Sequence, residues 1–428
     1  MRDIFKDHNI RIAYLLCLTL GVAYGMVLAI VSLYLTKERG YDEPTIAGMA
    51  AFFSIGIAAC AVPMGMLVRK LSARIVLAIS LLGYGLAVAV FPFMPGFAGL
   101  AGARAFDGAF SVGVWITIET VLLMRTTALN RGFVTSLYSI VLAAGYGLGS
   151  VITYVMTKFW PDWIVFVAAG SLAALGALIG LLRLDRNIQP VEGSEHAEGI
   201  EGTEGTEGTE GTEHGVGATE VAAGSSTGLS MASLYWRIKT ACMPTFVYGY
   251  FQASLVLFLP LFLIEERNIG ADETKLMVAF FSIGMVVCVG FVGHLGDRVG
   301  HLKMMRVLVT IGAIITAAVV FLPSYPLIAA AVFVAGGALA PLWPLGLALQ
   351  SLIVEPRDYN RSNALLNASY AIGTLAGPIV SGFLKRAYGG EAMFLHLAAL
   401  WLVVLGTTIA FRRDDPSLRT RRRPVRKA

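Results

Sequence analysis

Charge is what this sequence has least of. Charged residues make up 14% of its 428 positions and hydrophobic residues 56%, whereas a soluble domain carries about 25% charged residues. A chain of this length would ordinarily read as two or three soluble domains. Apolar runs of about 20 residues recur along it and exclude that reading. Cysteine is scarce too. Cys17, Cys60, Cys242 and Cys288 all fall inside apolar runs with no CxxC spacing, so they read as small hydrophobes and not as a disulfide frame or zinc site. The sequence shows no nucleophile–base pair, no metal-ligand spacing and no phosphate loop, and the glycine-rich Gly293–Lys303 lacks the GK[ST] ending of one. An enzyme, a metal and an organic cofactor are therefore not expected, nor is transport driven by ATP bound to this chain. A cleavable leader is not expected either. The first apolar run, Ile10 to Leu35, is too long for one and has no small-residue cleavage site after it.

What is present is a series of twelve apolar segments. The first six are 10–35, 45–68, 75–95, 97–124, 133–157 and 161–183, and the second six are 238–264, 274–296, 303–323, 325–353, 363–386 and 391–411. At about 1.5 Å per residue each is long enough to cross a hydrocarbon layer of about 30 Å. Helices are the expected form, because an open sheet leaves backbone groups unpaired in lipid and none of the segments shows barrel-type alternation. The two sets of six are copies. Leu33–Leu67 aligns with Leu261–Leu295 over 35 ungapped positions with 14 identities, including the hexapeptide Ala51–Gly56 against Ala279–Gly284. At the same offset of 228, Gly145 and Gly149 fall opposite Gly373 and Gly377. An even number of helices per copy keeps the two in one orientation, a parallel repeat about an axis along the membrane normal. The expected fold is an all-α membrane protein of twelve transmembrane helices in two pseudo-symmetric six-helix bundles, 1–184 and 236–412. An acidic low-complexity linker, 185–235, joins them, and a basic tail, 413–428, follows.

The net charge of +5 conceals an asymmetry, since Asp185–Ser230 holds ten acids and one base and the rest of the chain carries +14. That basic body reflects topology, not nucleic-acid binding. Arg69, Lys70, Arg74, Arg125, Arg131, Arg298, Lys303, Arg306, Arg357, Arg361 and the arginines after Phe411 sort to one side, while loops such as Met94–Gly96 and Pro323–Tyr325 on the other are short and nearly neutral. By the positive-inside rule both termini are expected in the cytoplasm. The linker, with glutamate at every third position from Glu192 to Glu213, reads as a disordered tether.

Gly293–Lys303, GHLGDRVGHLK, is the polar turn between the eighth and ninth segments, and a worn copy of it stands at Gly65–Arg74, with Arg69 for the acid and Ser72 for the glycine. Glycines let two helices reverse within a few residues, and Asp297 can accept hydrogen bonds from a helix N-terminus and pair with arginine. With Gly293, Asp297, Arg298 and Gly300 in place, the turn resembles the loop motif G-x-x-x-D-R/K-x-G-R/K-R/K of the major facilitator superfamily of secondary transporters. Arg104 and Gly108 match that family's fourth-helix R-x-x-x-G, and Arg131–Gly132 the base–glycine pair closing the next loop. The glycine-rich exporter pattern GxxxGP is complete only in the eleventh segment, as Gly373, Gly377 and Pro378, while Gly145 and Gly149 lack the proline. In detail the chain is similar to a bacterial branch that includes the YcaD-type proteins. The resemblance implies an integral protein of the bacterial inner membrane, a monomer, whose first, fourth, seventh and tenth helices surround a substrate cavity. It also makes Gly293, Asp297, Arg298, Gly300 and Arg131 a cytoplasmic gate.

Few ionisable residues lie deep in the segments. Arg104, Asp107 and Glu119 are all on the fourth, and each costs about 2.5–3.5 kcal/mol at a helix centre unless it is paired or faces water. Arg104 and Asp107 are three apart and can pair, or Arg104 can bind an anionic group. Glu119 has no base at i±3 or i±4, and a carboxyl with no counter-charge suits reversible proton binding, unless it reaches a loop arginine. The second half offers Tyr248 and Gln252 in its first helix and Trp343 between Pro341 and Pro344 in its fourth, with Pro341 as a bending point. A cavity charged on one side and aromatic on the other favours an amphipathic organic solute. The expectation is a secondary active transporter of a small organic molecule by alternating access, with the proton as coupling ion and efflux as its direction. Proton-coupled or facilitative import, and a non-transporting scaffold or sensor, are the alternatives.

Overall fold

The computed structural model describes residues 6–125, 131–186, 188, 230–354 and 359–412. The linker from 189 and the tail from 413 lie outside them. Fourteen α-helices and two short 3-10 turns make up the described residues, with no strand among them. In the first half these are α1 (His8–Leu28), α2 (Val31–Lys37), α3 (Glu43–Lys70), α4 (Ala73–Val90), α5 (Gly96–Met124), α6 (Arg131–Met156) and α7 (Asp162–Arg183). In the second they are α8 (Met231–Glu265), α9 (Ala271–Thr274), α10 (Met277–Val299), α11 (His301–Ala318), α12 (Tyr325–Leu339), α13 (Leu342–Ile353) and α14 (Tyr359–Ala410). Asp7, Asp42 and Ser230 start α1, α3 and α8 by accepting from Ile10, Thr45 and Ser233 backbone N–H groups, the donors that a helix start leaves unpaired.

Twelve crossings result. The first is α1 with α2, the eighth α9 with α10, and the tenth α12 with α13, interrupted at Pro341. The 52-residue α14 holds two crossings, because Gly389 takes φ 86°, ψ 167° and folds the rod back. The polar stretch before residue 300 is helix and not loop. α10 runs to Val299, α11 begins at His301, and Gly300, at φ 104°, is the whole turn. Its counterpart 228 positions earlier is Ser72, which adopts φ 152° with a side chain attached, a region where only glycine is unstrained.

The duplication reaches the level of single contacts. Gly25 and Gly149 bring α1 and α6 backbone to backbone, at Tyr146 O and Val22 O, and Gly373 and Gly377 do the same for α14 and α8, at Phe246 O and Tyr250 O. Gly56 and Gly108 join α3 to α5 at Ala105 O and Phe53 O, and Gly284 and Gly336 join α10 to α12 at Phe333 O and Phe281 O. In lipid, where apolar burial gives helices little reason to associate, such close backbone approach is a main source of packing energy. Gly145, Gly149, Gly373 and Gly377 thus sit at helix contacts, and Pro378 lies within α14. The arginines repeat as well. Arg39 donates to Pro92 O, its counterpart Arg267 donates to Val320 O, and each lies over a ring, Tyr34 at 5.7 Å and Phe262 at 5.2 Å.

Candidate functional site

Between the halves, at mid-depth, lies a cavity of about 150 Å³. The first half contributes Tyr24 from α1, Phe53 and Ser54 from α3, Tyr84 from α4, Arg104, Asp107 and Trp115 from α5, and Tyr146 from α6. The second contributes Gln252, Ala253, Val256 and Leu257 from α8, and Tyr370 and Thr374 from α14. Ser54 and Thr374 meet across it at 3.4 Å.

Arg104 Nη1 donates to Asp107 Oδ2, and the Arg104 guanidinium lies 4.8 Å from the centre of the Phe53 ring. Ser111 Oγ donates to Asp107 Oδ1 at 3.2 Å and to the Asp107 carbonyl at 2.6 Å. Asp107 is buried and Arg104 nearly so. Beside this pair the rings stack on one another along one wall. Tyr24 stacks on Tyr84 at 5.1 Å and on Trp115 at 5.9 Å, with Phe53 edge-on at 6.4 Å. Tyr84 OH and Trp115 Nε1 are buried without a hydrogen-bond partner in the protein. On the facing wall Tyr370 OH donates to Gln252 Oε1 at 2.7 Å.

Of the residues singled out from sequence, Arg104, Asp107 and Gln252 come together in this cavity. Tyr248 and Trp343 do not line it. They pack behind Tyr370, at 6.2 and 5.1 Å between ring centres, and hold that ring in place. Glu119 is three turns further along α5, about 18 Å from Asp107 by helix rise, beside Cys17 and Tyr138. It is exposed although it stands in the middle of the first bundle, so it faces an opening towards the ends where α5 finishes and α1 begins. Gly293, Arg298 and Gly300 lie at the end of α10 on that same side. The side chains of Asp297 and Arg131 are outside the described residues. Tyr24, Tyr84, Trp115, Tyr146 and Tyr370 line the cavity without a sequence motif to mark them. One signal was available, since Tyr24 is the 228-offset counterpart of Gln252, and Tyr146 that of Thr374.

A second constellation, also unanticipated, closes the opposite side. Lys385 of α14 is buried between Glu43 of α3, at 3.0 Å, and Glu265 of α8. Beside it Arg386 pairs with Asp42 at 2.5 Å. Lys275 donates to Thr157 Oγ1 of the first half at 2.6 Å and to Asp272 at 2.7 Å, while Ser150 of α6 donates to the Lys275 carbonyl. Glu43, Asp42, Ser150 and Thr157 belong to one half and Lys385, Arg386 and Lys275 to the other, so these bonds clasp the two bundles together. The Thr45 hydroxyl, 2.5 Å from Asp42, holds that carboxyl below its usual range, and Arg386 adds to the effect. Its charge, and with it the Arg386 pair, is present through neutral pH and is lost only as pH falls through the depressed value.

Two six-helix bundles related by a parallel repeat, a central cavity and a one-sided clasp together describe a known architecture. The family model of the Major Facilitator Superfamily matches residues 13–237 and 241–428. The chain belongs to the major facilitator superfamily. Among curated relatives, an uncharacterised superfamily-type transporter of Bacillus subtilis, YfkF, is 26% identical over 171 residues, 39% of this chain and 44% of the relative. YcaD of Salmonella arizonae, likewise uncharacterised, is 22% identical over 312 residues, 73% of this chain and 72% of the relative. The chain thus spans less than half the length of the first relative. Among solved superfamily structures, the nucleoside transporter NupG superposes with a TM-score of 0.71 at 14% identity, covering 94% of this chain and 99% of that one. A bacterial homologue of the human lysosomal transporter Spinster, in an inward-facing, unoccupied conformation, gives 0.73 at 12%, covering 95% and 97%. At these identities the superpositions speak for the fold alone, and the chain is a multi-pass membrane protein of transporter architecture.

Proposed function

We propose that this protein is a proton-coupled secondary active transporter of a small organic solute, working by alternating access. The observation that carries the reading is the Arg104–Asp107 pair in the wall of the cavity between the halves. Arg104 keeps its charge at any physiological pH, whereas Asp107 loses its charge on protonation and then releases Arg104. A site that changes charge with one proton, at the seam along which two bundles rock, links protonation to solute binding and to conformation. Glu119, on the open side of the same helix, is assigned as the proton's stop between the cavity and that side.

The conformation supports the same reading. The Lys385, Arg386 and Lys275 clasps hold the side away from the termini shut while Glu119 faces an opening on the other. With the termini cytoplasmic, as the placement of the bases indicates, this is the inward-open state of a protein in the bacterial inner membrane. Asp297 and Arg298 are then assigned to the lock that closes the cytoplasmic side in the other state.

The glycine–proline pattern of α14 points to export, in which solute and proton exchange at the site. The charge pair points to uptake, because an anion that loses its charge makes room for a solute instead of competing with it. The test is transport by reconstituted vesicles screened against a broad solute library under an imposed pH gradient. Asp107→Asn should abolish gradient-driven accumulation, and Glu119→Gln should slow it. The sign of movement separates uptake from export. Full gradient-driven activity in both variants would overturn the coupling assignment.

A further inference from the structure

The charge and hydrogen-bonding inventory of the cavity narrows what it can hold. Among its described lining residues the groups with a charge to carry at neutral pH are Arg104 and Asp107. Arg104 is permanently cationic and Asp107 is charged or neutral, so the site totals zero or plus one and is never negative. A solute cation would meet either a neutralised pair or a bare guanidinium, both unfavourable at low dielectric. The groups packed around Asp107 do not alter this sum. On its own helix they are Arg104 and Ser111, from α1 Tyr24, and from α4 Tyr84. The second half brings the uncharged Gln252, Tyr370 and Thr374.

The hydrogen-bonding groups lean the same way. Trp115 Nε1 and Tyr84 OH are buried behind the cavity surface and do not reach a ligand. Neither has an acceptor in the protein. Gln252 has its oxygen taken by Tyr370 and so offers its amide N–H groups. The one strong acceptor, Asp107, is already engaged by Arg104 and Ser111. Donors at Arg104 and the Gln252 amide call for a ligand that accepts, and an ionised carboxylate, with two oxygens and no proton, is that ligand. The shape of the wall adds a second requirement. The Tyr24, Tyr84 and Trp115 rings lie roughly face to face, with interplanar angles of 11° and 29° to Tyr24, and Tyr370 closes the far side. These rings stack on one another and line one wall, and an aromatic wall with Tyr370 opposite favours an aromatic solute.

We propose that the cavity binds an aromatic carboxylate, seated against the aromatic wall with its carboxylate on Arg104, and that it excludes organic cations. This deepens the proton-coupled reading above and rests on it. Protonated Asp107 yields Arg104 to the ligand, so anion and proton bind together and are carried together.

The experiment is calorimetric titration of the purified full-length protein with three probes on one ring: 2-naphthoate, 2-naphthamide and 2-naphthylmethylammonium. Naphthoate is expected to bind most tightly and the ammonium not to bind. Naphthoate affinity should rise about tenfold per unit fall in pH wherever Asp107 must take up a proton for the ligand to bind, one proton per anion. Asp107→Asn, which stands in for the protonated acid, should bind naphthoate at least as tightly as wild type and without that pH dependence. This gain cannot come from misfolding. Arg104→Gln should remove the preference for naphthoate over naphthamide. Ammonium binding as tight as naphthoate, loss of naphthoate binding in Asp107→Asn, or silence from all three probes would overturn the substrate class. Naphthoate binding that ignores pH in wild type would leave the class standing and sink the coupling through Asp107.

Discussion

Ser72 shows how one residue can carry a cost that its own repeat partner avoids. Gly300 turns the second half at φ 104°, and Ser72 holds the equivalent position at φ 152° with its hydroxyl buried and unpartnered. Backbone strain of this kind costs about 1–3 kcal/mol, against a glycine entropy penalty of about 0.5–1 kcal/mol. Ser72→Gly should therefore stabilise the protein by roughly 1 kcal/mol and raise its apparent melting temperature by a degree or more in a detergent thermal-shift assay. A lowered melting temperature would show that the hydroxyl has a partner role. Residue chemistry also explains what could be read in advance. Arg104 and Asp107 were visible because charge in a membrane segment is expensive and therefore rare. Tyr84 and Trp115 were not, because aromatic residues are common in such segments and nothing in spacing separates a lining ring from a packing one. The clasp at Lys385 was hidden for another reason: its partners, Glu43 and Glu265, are 342 and 120 positions away, and only the fold brings them together.

At the scale of elements, the helices pack through backbone contacts at glycines, and the prediction belongs to the pairs. A Cβ at Gly108 would collide with Phe53 O, whereas at Gly102, six residues earlier on α5, it would meet nothing within 4 Å. Gly108→Ala should destabilise the protein by about 1–3 kcal/mol through forced separation of α3 and α5. Gly102→Ala should be neutral or stabilise by up to about 1 kcal/mol through helix propensity. Paired melting curves check this, and equal effects would remove the packing role. The elements themselves were largely legible, because apolar length sets a crossing almost alone. The turns were less so. Gly293–Lys303 reads as a loop by composition, yet helix α10 runs through most of it, since a polar residue at the end of a membrane helix can stay helical with its side chain in water. Gly389, by contrast, falls between the eleventh and twelfth segments where the sequence places a break, but no intervening loop separates the two arms.

For the whole molecule the clasp decides which side is open. Removing the buried Lys385 charge leaves Glu43 and Glu265 facing one another without compensation, which favours parting. In Lys385→Met, spin labels at positions 159 and 321, exposed residues of the two halves on the clasped side, should shift to longer distances by double electron–electron resonance. Glu43→Gln should shift them less, because Lys385 keeps Glu265. An unchanged distance distribution in Lys385→Met would mean that the Lys275 contacts hold the side shut unaided.

The two latches also bear on the history of the chain. Sites related by the 228-residue repeat have diverged: Lys385 answers to Thr157, Glu43 to Ala271, and Lys275 to Ala47. The buried Glu43–Lys385 contact therefore joins unlike ends, while the Arg386 position keeps its base in Lys158. Two first halves would set Lys158, the counterpart of Arg386, against Asp42 but would have Thr157 where Lys385 stands, and two second halves would set Lys385 against Ala271 in place of Glu43. A protein made of one half used twice would lack the buried Glu43–Lys385 contact, which only the two unlike halves together supply.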